Sequence, residues 1–265
     1  MKRFFKKLMI IIASLYFIIG VALYFLQEKM IFMPESLPQD YSYSFPGNFE
    51  EINLKTDDGA VLNALHFKVE NPKGVVLYFY GNAGELSRWG IIVQNFVEMN
   101  YDVLVMDYRT YGKSTGKLSQ KALYSDAQLF YNLLKKSYSE DEIVVYGRSL
   151  GTTFATYIAA KNLPNQLILE SPFYSLDEVA RHRFPIYPIS WFLKFHFPTY
   201  QYFKEVQCPI TIFHGTDDFV VSYKNSEELS KIKTKEKLNF ISIPRGTHHN
   251  LGSYKIYIKT LDSIL

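Results

Sequence analysis

The sequence predicts an α/β fold: a mainly parallel, eight-stranded sheet with helices on both faces and a short helical cap, preceded by one N-terminal transmembrane helix. Three observations carry that expectation. From residue 51 onward, short runs dense in Val, Ile and Leu alternate with longer helical stretches. One connection, between Glu170 and Ile210, is much longer than the others. Leu8 to Leu26 forms 19 consecutive residues without a charge, which as a helix is about 28 Å long and nearly matches a bilayer core.

The N-terminal stretch comes first. Twelve of its 19 residues are Leu, Ile, Val or Phe, each favouring the mid-bilayer by roughly 0.3 to 0.6 kcal/mol, so insertion wins. A soluble core helix of this length would show a polar stripe, which is absent. A cleaved signal peptide could use Gly20-Val21-Ala22, yet apolar sequence continues to Leu26, so an uncleaved anchor over residues 1–29 is the preferred reading. Lys2, Arg3, Lys6 and Lys7 precede the span and only Lys29 follows closely. The positive-inside bias then holds the N-terminus in the cytoplasm and puts the folded domain on the periplasmic or extracellular side.

A connector over residues 30–49 leads to a domain over residues 50–265. Glu51 to Leu54 and Leu62 to Val69 read as a hairpin around Asp57-Asp58-Gly59. Six more strands are expected at Val75–Tyr80, Asp102–Asp107, Glu142–Tyr146, Gln166–Glu170, Ile210–His214 and Lys237–Ile243. Helices are expected near Leu86–Met99, Ser119–Lys136, Leu150–Lys161, Ser222–Lys231 and from Leu251 to the C-terminus. The long connection, about residues 174–208, holds Phe184, Tyr187, Trp191, Phe192, Phe195 and Phe197 among its aromatics and prolines at 185, 188 and 198. It reads as the helical cap.

Composition removes several function classes. With 48% hydrophobic and 21% charged residues in 265, the chain folds and is neither disordered nor collagenous. Without the four basic residues before position 8, 25 basic side chains face 26 acidic ones, so no global field invites nucleic acid. A lone Cys208 permits no internal disulfide, and no Cys/His set has zinc spacing. Gly112-Lys113-Ser114 resembles the end of a phosphate-binding loop, but Asp107 stands where its first glycine is required. Neither cofactor nor metal is expected.

The chemistry concentrates in three places. Gly147-Arg148-Ser149-Leu150-Gly151 follows a strand and opens a helix, the setting of a nucleophile elbow whose strained turn tolerates only glycine at its flanks. A serine hydroxyl needs a base and the base an orienting acid. His214-Gly215-Thr216-Asp217-Asp218 and Thr247-His248-His249-Asn250 supply both at later strand ends, in the order Ser, Asp, His. Adjacent side chains diverge, so one of Asp217 and Asp218, and one of His248 and His249, can face inward. The loop Tyr80-Gly81-Asn82-Ala83-Gly84 is expected to complete an oxyanion hole from the backbone N–H groups of Asn82 and Leu150.

These segments, with Asp107-Tyr108-Arg109-Thr110-Tyr111-Gly112-Lys113-Ser114 and Leu169-Glu170-Ser171-Pro172-Phe173, make nearly the whole chain resemble the α/β-hydrolases. The likeness is to membrane-anchored serine hydrolases with a compact cap, which include depalmitoylases and bacterial relatives. The resemblance implies Ser149 as nucleophile, Asp218 as acid and, as the histidine directly before Asn, His249 as base. Tyr80 stands where the family has histidine before Gly-Asn, and Thr110 where it has glycine after Tyr-Arg. The implied activity is cleavage of an acyl ester or thioester at the bilayer that residues 8–26 enter. A serine peptidase of aminopeptidase type and a catalytically silent interaction module are the alternatives.

Overall fold

The computed structural model describes residues 1–234 and 236–265. Its main sheet contains β1 (Asn48–Lys55), β2 (Val61–Lys68), β3 (Val75–Phe79), β4 (Asp102–Met106), β5 (Ile143–Arg148), β6 (Gln166–Glu170), β7 (Ile210–Gly215) and β8 (Leu238–Ile243). Their spatial order is β8-β7-β6-β5-β3-β4-β2-β1. β1 pairs antiparallel with β2, and β2 antiparallel with β4; every other pairing is parallel. The expected eight-stranded sheet is therefore present, and its central strands β3, β4, β6 and β7 are buried on both faces. That burial explains why they read as unbroken apolar runs.

The helices are α1 (Lys2–Ile31), α2 (Leu86–Ile92), α3 (Gln94–Glu98), α4 (Gln120–Leu134), α5 (Gly151–Lys161), α6 (Leu176–Arg183), α7 (Ile189–Phe192), α8 (Thr199–Glu205), α9 (Lys224–Ser230) and α10 (Lys255–Ile264). Two expectations need refinement. The helix expected over Leu86–Met99 is split at Val93, a fully buried residue, and the last begins as a short 3-10 turn over Leu251–Ser253 before α10. The long connection after β6 folds into α6, α7 and α8.

α1 is long and apolar enough to cross a membrane, and only 6% of its most apolar window is buried. A core helix would be buried, so that reading of the stretch falls away. Just beyond α1, Met33-Pro34 pairs in parallel with Ala83-Gly84. The exit of α1 is thus tied to the loop after β3.

Chain order reverses around β3, which has β4 on one side and β5 on the other. In open α/β sheets the crevice at the carboxyl ends of strands flanking such a point is where ligands bind. The loops after β3, β5, β7 and β8 meet there.

Candidate active site

The turn after β5 puts Ser149 at φ +51°, a left-handed conformation that L-residues hold only under local constraint. The flanking glycines make it feasible. A Cβ on Gly147 would come within 2.7 Å of Ala155 Cβ, and one on Gly151 would run into the carbonyls of Phe79 and Tyr80. The Ser149 N–H donates to the Glu170 carbonyl at 2.9 Å, and Thr152 Oγ1 donates to the Ser149 carbonyl at 2.6 Å. Ser149 is only 8% exposed, because the cap and the end of α1 stand over it.

Asp218 lies in the loop after β7, with one carboxylate oxygen accepting from the N–H groups of Val220 and Val221 at 2.9 and 2.8 Å. Its second oxygen lies 2.7 Å from His248 Nδ1, and His248 Nε2 lies 2.9 Å from Ser149 Oγ. With the ring proton on Nδ1, His248 donates to Asp218 and accepts from the serine hydroxyl. Burial alone would raise the Asp218 carboxyl, but hydrogen bonds from His214 and His248, the His248 charge and the Val221 N–H outweigh it and hold it well below the usual carboxylate range. Asp217 is exposed and accepts from its neighbour Thr216 Oγ1.

The expected base, His249, is not in this chain of bonds, and the structure corrects the reading to His248. The turn after β8 closes with the Thr247 N–H donating to Asn250 Oδ1 at 2.7 Å. That closure turns position 248 inward, buried at 7% exposure, and position 249 out to solvent, with its ring edge-on to His248. A one-residue slip in a tight turn reverses the face a side chain takes, and adjacent histidines carry no composition signal to separate them.

Gly81 passes close to Ser149, so the loop after β3 runs against the nucleophile: a Cβ at 81 would lie 3.7 Å from Ser149 Cβ. Asn82 and Leu150 both border the cavity that Ser149 faces. Among the described residues, neither of their backbone N–H groups donates to a protein acceptor, so both are free to bind an oxyanion there. The Asn82 carbonyl accepts from the Met33 N–H at 2.9 Å and from Tyr111 Oη at 2.7 Å, and Asn82 Nδ2 donates to the Ile31 carbonyl at 3.0 Å. Tyr80, in place of the expected histidine, donates to Asp107 at 2.5 Å and stacks on Trp89.

Glu170 is buried and ion-paired with Arg148 at 3.2 Å, and its other carboxylate oxygen accepts from Tyr146 Oη at 2.6 Å. Sequence reasoning missed two supports. Arg148 Nη2 donates to the His248 carbonyl at 3.3 Å, and the fully buried His214 stands 3.3 Å from Asp218; only the position of His214 in the His-Gly motif hinted at a role. Among the described residues no group of three His, Cys, Asp or Glu side chains could hold a metal.

Above Ser149 lies a cavity of about 380 Å³ walled by α1 residues Leu23 and Met30 and by cap residues Leu176, Phe184, Ile189 and Phe192. Its size is that of a small-molecule site. Most of the lining is apolar, and Ser149 borders it.

Fold and site together define an α/β-hydrolase. A family model described as "Serine aminopeptidase, S33" matches residues 70–205, and the chain belongs to that family within the α/β-hydrolase superfamily. It is 33% identical over 241 residues to an uncharacterised protein of Acanthamoeba polyphaga mimivirus, covering 82% of this chain and 81% of the relative. It is 30% identical over 185 residues to the lysophosphatidylserine lipase ABHD12 of Danio rerio, covering 62% of this chain and 48% of that protein. The fold is similar to an esterase of Pyrococcus furiosus, with a TM-score of 0.69 at 18% identity over 86% of this chain and 98% of that one. The chain is a hydrolase, of the serine type in general.

Proposed function

We propose that this hydrolase is anchored in a membrane by α1 and cleaves carboxylic esters or thioesters of an apolar acyl group through an acyl-enzyme on Ser149. The observation that carries the reading is the bonded series Ser149 Oγ, His248 Nε2, His248 Nδ1, Asp218, at 2.9 and 2.7 Å. Ser149 Oγ attacks the acyl carbonyl as its proton passes to His248 Nε2, and Asp218 stabilises the imidazolium. The tetrahedral oxyanion is held by the N–H groups of Asn82 and Leu150, each such donor contributing about 2.7 to 4 kcal/mol. His248 returns the proton to the departing alcohol or thiol, and water, deprotonated by the same nitrogen, releases the acid.

The apolar cavity supports an acyl substrate over an amine-bearing one. Recognition of a free amino terminus calls for a carboxylate, whereas the polar side chains on the cavity wall are Gln27, Asn82, Ser149 and Arg183. The four basic residues ahead of the span support a cytoplasmic N-terminus with the domain on the other side. Ser149→Ala is expected to lower turnover of short p-nitrophenyl esters by about six orders of magnitude and to abolish fluorophosphonate labelling. Undiminished labelling of that variant would defeat the assignment, and faster turnover of aminoacyl amides than of esters would favour the peptidase alternative.

A further inference from the structure

The cap carries a second apolar segment. Ten residues from Phe184 to Leu193 hold no charge and are bounded by Arg183 and Lys194. Two large side chains on it point away from the protein: Ile186 is 71% exposed and Trp191 85%. Both lie off the cavity wall. A soluble surface gains nothing from displaying them together.

Their position relative to α1 explains the display. Lys194 pairs with Glu28, and Gln27 bonds the Phe192 carbonyl and the Lys194 N–H at 2.9 and 2.6 Å, just beyond the uncharged stretch. From there the segment runs back along α1 until Tyr187 stacks on Tyr16 with ring centres 4.6 Å apart. Residues 16 and 27 of a helix are about 16 Å apart along its axis. The tip of the cap therefore lies level with the middle of the uncharged stretch, residues 8–26.

Backbone exposed to hydrocarbon must have its polar groups satisfied internally, and this segment meets much of that requirement. Tyr16 Oη donates to the Ile186 carbonyl at 3.0 Å, and Tyr187 Oη donates to the Tyr16 carbonyl at 3.1 Å. The N–H groups of Tyr187, Ile189, Trp191 and Leu193 donate within the segment, and Pro185 and Pro188 have none to satisfy.

We infer that residues 184–193 insert into the bilayer beside α1 and that the cavity over Ser149 takes its substrate sideways from the leaflet, as the acyl chain of an ester-linked membrane lipid. The inference rests on α1 as a membrane span and on Ser149 chemistry. α1 is then a wall of the acyl site as well as an anchor, since Leu23 and Met30 face the cavity opposite Phe184, Ile189 and Phe192.

The test uses the full chain in phosphatidylcholine vesicles. Trp89 is buried at 5% exposure, so accessible tryptophan emission comes from Trp191, as a Trp191→Phe variant verifies. Acyl-brominated phosphatidylcholine is expected to quench Trp191, and aqueous acrylamide to leave it largely unquenched. Ile186→Glu and Trp191→Glu are expected to slow hydrolysis of a long-chain ester embedded in the vesicles by about tenfold or more, because a carboxylate is costly in hydrocarbon, with soluble p-nitrophenyl acetate turnover unchanged. A chain that fails to float with vesicles overturns the span and the inference together. A chain that floats while Trp191 stays open to acrylamide and untouched by bromolipid overturns the inference alone, and p-nitrophenyl acetate turnover reads the Ser149 chemistry separately.

Discussion

Thr110 illustrates how far single residues can be read. The sequence marks it as a departure from the glycine of related hydrolases, and in the structure it has φ +73°, which costs a β-branched residue about 1 to 2 kcal/mol. Its buried Oγ1 also has no hydrogen-bond partner. Thr110→Gly removes both penalties and adds about 0.5 to 1 kcal/mol of chain entropy cost, so the variant should be about 1 kcal/mol more stable. A thermal melt should then show a midpoint about 2 to 4 °C higher; a lower midpoint would mean the threonine is accommodated by something other than strain. Asp218 gives a pH prediction at the same scale. Its depressed carboxyl contributes stability in full above the ordinary carboxylate value of about 3.9 and loses it as pH falls through and below that value. Denaturation between about pH 5 and pH 2 should show a steeper loss for the wild-type chain than for Asp218→Asn. Equal slopes would refute the assigned bonds. Within each adjacent pair the residues alone left the choice open and the resemblance made it; the structure brings Asp218 to the His248 ring, whereas His248 and His249 differ only in which way a four-residue turn presents them.

Among the elements, the strands were the most legible, because burial on both faces leaves β3, β4, β6 and β7 no polar positions to confuse their reading. The split between α2 and α3 was not legible: residues 91–95 contain neither glycine nor proline, and Val93 at the break is fully buried. The coupling of α1 to the loop after β3 was also invisible, since it joins residues about 50 apart in the chain through Ile31, Met33 and Asn82. That coupling predicts a kinetic effect. Asn82→Ala keeps the backbone N–H but removes the side-chain tie to the Ile31 carbonyl, so a misplaced donor should lower kcat by about tenfold with KM little changed, as for an interaction made only in the transition state. A rise in KM at constant kcat would show instead that the tie shapes only the substrate site.

At the scale of the molecule, the order β8-β7-β6-β5-β3-β4-β2-β1 brings the carboxyl ends of β3, β5, β7 and β8 into one crevice, and so joins residues 82, 149, 218 and 248. Strand sequence alone indicated that these loops meet, because each motif sits at the end of a parallel strand. It did not indicate the bonding partner inside the last turn. The cavity was no more legible, since its walls come mainly from two segments, α1 and the cap, that are more than 140 residues apart in sequence. The most direct measurement is to label the full chain and its His248→Ala and His249→Ala variants with a fluorophosphonate and map the adduct by peptide mass spectrometry. An adduct on Ser149 is expected in the wild-type chain and in His249→Ala at similar rates, and almost none in His248→Ala. Labelling that survives in His248→Ala and disappears in His249→Ala would rule out His248 as the base.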